Sequence, residues 1–214
     1  MTILGLDMSS QRTGYSLFKD KRLVDYGLWE LSSGDESDWR KRIQYMAKCI
    51  NDYCDMHDVD AVYVEDVPPI IQNSQTVKVL SALQGMVLAT FTLRNIELHF
   101  VPVKNWKSKI GINLTASKEN NVCKKQFKDF YGAKANRYID KLKNATKAYE
   151  KKLSVEYANK LFGLDLIYKS ASSKKNQDDI ADAICIVAAN IFDEPYYNFD
   201  FESIMSDIYD SIVK

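Results

Sequence analysis

Three short apolar segments open the chain, at Ile3–Leu6, Gly14–Phe18 and Leu23–Trp29, and polar turns separate them. Each is too short for an ordinary helix, so they must pair with one another as strands. An antiparallel meander is the economical arrangement, and it commits the rest of the chain to covering a sheet. The first segment ends on an acid, Asp7, within "ILGLDMSSQRTGYSLF". An aspartate there is either a turn former or a side chain placed on a sheet edge for use.

From Asp38 to Met56, apolar residues recur at Trp39, Ile43, Met46, Ile50, Tyr53 and Cys54, which predicts a helix with one buried face. "DAVYVE" (Asp60–Glu65) reads as a buried strand ending on a second acid, Glu65, which is not a typical turn former. Pro68 and Pro69 impose a loop. Asn73 or Ser74 then caps a helix running to about Phe91, with "IELHFV" (Ile96–Val101) as a further strand. Pro102 ends that strand, and a short element carries Trp106 and Lys107. Thr115 or Ser117 caps a helix beginning near Lys118. Asp129–Lys175 is a lysine-rich stretch of weak helical periodicity, closing on "SASSKKNQ" (Ser170–Gln177) as a flexible connector. The helix Asp178–Phe192 is apolar at Ile180, Ile184, Val187, Ala188 and Ile191, and the tail after Asp193 carries no readable pattern. Strand meander, then helix, strand, helix, strand and helices, predicts an α/β, ribonuclease-H-like mixed sheet flanked by helices. The expected organisation is one domain over residues 1–214 with a basic insertion at about 129–175.

The formal net charge of zero hides a segregation. Between Lys104 and Lys175 there are 18 Lys/Arg against 6 Asp/Glu, leaving 11 against 23 elsewhere. Such a split suits a polyanion bound along the basic segment, or else solvated lysine-rich helix faces. The longest uncharged apolar run, about Gly85–Leu93, is too short for a bilayer, and no charged leader precedes Ile3, so no membrane partner is expected. Cys49, Cys54, Cys123 and Cys185 show no paired spacing and read as reduced thiols of a cytoplasmic protein. Only two histidines exist and neither sits beside a cysteine pair, which argues against zinc.

The acids carry the chemical signal. If the strands ending at Asp7 and Glu65 are parallel neighbours, both carboxylates emerge at one sheet edge. "NQDDIADAICIV" adds Asp178, Asp179 and Asp182, and either of the first two can share a helix face with Asp182. Asp178 and Asp179 also suit a helix N-terminus for dipole reasons alone. Clustered carboxylates repel unless divalent cations neutralise them, and all-oxygen ligands suit Mg²⁺, with Mn²⁺ as a substitute. Two ions about 4 Å apart can activate water and stabilise the leaving oxygen of a phosphodiester.

These motifs resemble those of the RuvC-type Holliday junction resolvases, and most of all the RuvC-like enzymes of lactococcal phages. "ILGLDMSSQRTGYSLF" resembles the first motif, "VYVEDV" the second and "DDIADAICIV" the third, over Thr2–Ala189. The resemblance implies a catalytic tetrad of Asp7, Glu65, Asp179 and Asp182 holding two Mg²⁺ ions, with Asp178 a further candidate ligand. It implies Lys107 and Lys118 as lysines near the scissile phosphate; general phosphate contact is the competing role. It also implies four-way and other branched DNA as substrate and, if phage-encoded, a host cytoplasm. Symmetric nicking of a four-way junction calls for a homodimer. Ser74–Phe91, apolar at Val77, Leu80, Leu83, Val87 and Leu88, is either its interface or a core-facing helix. Where the family has an aromatic residue after its glutamate this chain has Pro68, then Pro69, Ile70 and Ile71, which predicts weak sequence preference. A ribonuclease H, a proofreading-type exonuclease and a junction-binding protein without catalysis are the alternatives. Met8 and Ser9 after Asp7 disfavour the exonuclease, and an actin-like ATPase would need glycine-rich phosphate loops.

Overall fold

A computed structural model describes residues 1–31, 34–67 and 74–213. Five strands form one sheet in the order β3-β2-β1-β4-β5, where β1 is Thr2–Asp7, β2 Arg12–Lys19, β3 Arg22–Glu30, β4 Ala61–Glu65 and β5 Glu97–Val101. The first three pair antiparallel, as the meander requires. β1 and β4 are parallel neighbours with Leu6 opposite Val64, and β4 and β5 are also parallel. β1 lies at the centre, which explains why Ile3–Leu6 is buried throughout whereas β3 at the edge is half-exposed.

The period of two along each strand sorts side chains between the faces. Leu4 and Leu6 of β1, with Val62 and Val64 of β4, pack towards α1 (Trp39–His57) and α2 (Ser74–Leu93). Ile3 and Ala61 face the other way, onto α6 (Asp178–Ile191). Asp7 shares parity with Ile3, and Glu65 with Ala61. Both acids therefore lie on the face that α6 covers.

Glycine allows α6 to approach. A Cβ on Gly5 would stand 2.4 Å from the Ala183 carbonyl oxygen, and one on Gly14 2.0 Å from that of Asp179. Ser16 Oγ donates to the Ala183 carbonyl at 2.9 Å. α6 is buried on nearly every side because α5 (Ala135–Phe162) covers its outer face, with Val155 and Ala158 against Ile180 and Ile184, and Leu153 and Tyr157 against Cys185 and Ile186.

Several expectations need correction. The weakly periodic basic stretch is mostly one 28-residue helix, α5, and its first residues end α4 (Lys118–Tyr131). The connector Ser170–Gln177 is hydrogen-bonded: Asn176 Nδ2 donates to the Ser170 carbonyl at 2.7 Å, and Asn176 Oδ1 accepts from Lys169 N–H at 3.0 Å. The tail contains a helix, α7 (Phe201–Val213), whose Met205, Ile208 and Ile212 pack on Leu114, Phe127 and Leu142. α2 is 20 residues long and, with Lys78 its sole charge, is by length and composition long and apolar enough to cross a membrane. Leu83, Val87 and Phe91 nonetheless turn one face into the core. The loop at Pro68 and Pro69, with Ile70, Ile71 and the Asn73 cap, lies outside the described residues.

Candidate active site

The turn after β1 is fixed by its own side chains. Ser9 Oγ accepts from Arg12 N–H at 2.9 Å, and Thr13 Oγ1 donates to the Ser9 carbonyl at 3.0 Å. Asp7 and Gly14 stand opposite each other in the β1–β2 register. Gly14 is where α6 crosses, so the missing Cβ brings the first turn of α6 beside Asp7.

Asp7, Glu65, Asp179 and Asp182 line one cleft of about 770 Å³, large enough for a phosphodiester and its flanking sugars. Lys104 and Lys107 of α3 (Val103–Lys109) and Lys147 and Lys151 of α5 share its lining. Burial raises the Asp7 carboxyl well above the usual range, with repulsion from Glu65, Asp182 and Asp179 adding to it. Glu65 is pushed up to about 7 by burial and then by Asp182, against the pull of Lys107. Asp182 is pushed up to about 6 by burial, with Lys107 opposing. Trp106 Nε1–H, fully buried, donates to Glu65 Oε2 at 3.2 Å and aims that carboxylate.

Two other acids are held by cations. Arg12 Nε pairs with Asp179 Oδ2 at 2.6 Å, while its guanidinium also donates to the carbonyls of Lys174 and Asn176. Asp178, the first residue of α6, is buried and paired with Lys151. Burial disfavours the Lys151 charge, but the hydrogen bond and attraction of Asp178 win and raise its pKa. The same balance holds for Lys107, where Asp182 and Glu150 overcome burial. Among the described residues no three His, Cys, Asp or Glu side chains form a ready-made metal cage. The donor set still fits a hard divalent cation: it is all oxygen, its members raise one another's pKa, and buried Asp182 Oδ1 has no hydrogen-bond partner.

Lys118 does not join this cleft. It lines a separate groove between α4 and α7 with Glu119, Val122, Gln126 and Tyr209. Sequence reasoning missed the charged cleft-lining residues Lys104, Lys147, Glu150 and Lys151, and Arg12, which reaches Asp179 from beside the cleft. Glu150 had a signal, since it falls in phase with the buried stripe Leu142, Thr146, Leu153 and Tyr157.

The family described as crossover junction endodeoxyribonuclease RuvC matches residues 3–125, more than half the chain, a span that includes Asp7, Glu65 and Lys107. Among curated proteins none matches in sequence. A Thermus thermophilus RuvC in complex with Holliday junction substrate is 12% identical, with a TM-score of 0.53 over 87% of this chain and 90% of that one. Another Thermus thermophilus RuvC structure is 15% identical, with a TM-score of 0.51 over 96% and 97%. At these identities the likeness is one of fold, and it is the mixed sheet flanked by helices described above.

Proposed function

The chain belongs to the RuvC family of crossover junction endodeoxyribonucleases, and from that premise we propose that the cleft holding Asp7, Glu65, Asp179 and Asp182 is its catalytic centre. It is a hydrolytic nuclease that cleaves junction DNA. The observation that carries the assignment of the site is convergence. Two strand ends 58 residues apart and one helix turn deliver four carboxylates to a single lysine-rimmed cleft.

Nucleases of this family depend on divalent metal. We assign the role to two Mg²⁺ ions, with Mn²⁺ able to substitute and Asp178 standing behind the main ligands through its pair with Lys151. Bound there, the cations would supply an activated water and charge stabilisation for the leaving oxygen. The chain supplies the rest. Trp106 orients Glu65, and Arg12 holds Asp179 on the correct side of α6. Lys107 presents a buried ammonium where negative charge develops on the phosphate oxygens. Lys104 and Lys147 line the same cleft and suit the flanking phosphates. The basic segment, with α5 packed on α6, belongs to the same nuclease domain.

The substrate is a four-way junction, with other branched DNA also cut, and the absence of an aromatic residue at Pro68 favours weak sequence preference. The active unit is a homodimer joined through the outer face of α2. Its inner face packs on the core, while Leu88 is 49% exposed and Leu93 88%, beside small residues at Ser81, Gly85 and Ala89. Purified protein incubated with labelled four-way junction, fork, flap, linear duplex and RNA–DNA hybrid, in Mg²⁺, Mn²⁺ or EDTA, tests the reading. Branched DNA should be cut with either metal and spared in EDTA. Cleavage of the hybrid alone would replace the assignment with a ribonuclease H, and binding without any cleavage would leave a junction-binding protein.

A further inference from the structure

α5 lies beyond the residues that match the family, yet it enters the acid cleft. It brings a fifth carboxylate, Glu150, which is 4% exposed in the middle of a lysine-rich helix. A buried ion is costly unless it is paired and fully hydrogen-bonded. Glu150 meets that condition with two partners from different elements. Oε2 accepts from Lys107 Nζ at 3.0 Å, and Oε1 accepts from the Thr115 backbone N–H at 2.7 Å. Thr115 belongs to the Asn113–Ala116 segment that walls the cleft. One carboxylate thus ties the wall, α3 and α5 together at the lysine that faces Glu65 and Asp182. Its environment differs from that of Asp182, whose Oδ1 has no partner. Each Glu150 oxygen already serves an N–H donor. A lysine side chain is otherwise a flexible point charge.

We propose that Glu150 is a positioning residue: its fixed carboxylate holds the Lys107 ammonium in the cleft, where it meets the scissile phosphate. The proposal rests on the catalytic reading of Lys107 given above. A double-mutant cycle on the full chain tests both separately. Single-turnover cleavage of a labelled four-way junction at saturating protein is compared for wild type, K107A, E150A, E150Q and K107A/E150A, with junction affinity measured in EDTA. K107A and E150A should each slow cleavage by roughly 10- to 100-fold while affinity stays within about threefold, and the double variant should be no slower than K107A. E150Q keeps one acceptor and should fall between wild type and E150A. With K107A/E150Q as the double variant, it also completes the cycle if E150A does not fold.

Independent action by Glu150, as ligand or scaffold, would slow K107A further by the factor seen in wild type, and that would overturn the proposal. A normal rate in E150A beside a slow K107A would reject Glu150 alone. A normal rate in K107A would reject the reading of Lys107 and Glu150's role with it.

Discussion

At the residue scale, the four acids that meet in the cleft were legible because they end strands or lie in the opening turns of a helix. Asp7 and Glu65 close strands, and Asp179 and Asp182 lie one helical turn apart where α6 begins. Arg12 and Lys151 were not legible, because their partners lie 164 and 27 residues away and leave no local pattern; Glu150 left only its place in the buried stripe of α5, with its partner Lys107 43 residues away. Gly14 is the sharpest steric constraint. G14A would push a methyl against the Asp179 carbonyl, and it should cost on the order of 2–4 kcal/mol with loss of cleavage, read by thermal unfolding and a junction assay. The carboxyls also predict how stability depends on pH. Unfolded, they titrate near pH 4. Folded, Asp182 and Glu65 hold protons up to about 6 and about 7. The folded state binds more protons across that window, so metal-free stability falls as pH rises through it. In EDTA the unfolding midpoint should be higher near pH 5.5 than near pH 8, and Mg²⁺ should raise it more at pH 8. A midpoint in EDTA that climbs with pH would contradict this.

At the scale of elements, the sheet could be read from its apolar strands and hydrophobic periods, and the parallel β1–β4 pairing fulfilled the condition set for Asp7 and Glu65. The helices of the basic segment were harder. α5 is lysine-rich on its exposed side, and its buried stripe includes Thr146, Glu150 and Ser154, so apolar periodicity understates it. α7 follows an aromatic, acidic stretch, and its three core residues make sense only against α4 and α5. Lys147 stands on the cleft-lining side of α5. K147Q should weaken junction binding with little sequence dependence and reduce the salt slope by about one, measured by titration at several salt concentrations. For α2, L88E on the exposed face should give a monomer by light scattering that keeps its fold by circular dichroism. A variant that stays dimeric would place the interface elsewhere.

At the scale of the whole molecule, segregated charge becomes geometry. The acidic share of the chain delivers four carboxylates to the cleft through β1, β4 and α6, and the basic segment wraps one side of the same cleft through α3 and α5. On the proposed reading such a site separates holding DNA from cutting it: Lys104 and Lys147 supply affinity, while the carboxylates and Lys107 supply chemistry. Single-turnover cleavage of a labelled four-way junction in Mg²⁺ by wild type and D7N, with affinity measured on the same preparations, tests that separation directly. D7N should bind the junction within about threefold of wild type and cut it at least about 10³-fold more slowly. D7N that cuts at a rate near wild type would remove Asp7, and the cleft built around it, from the chemistry.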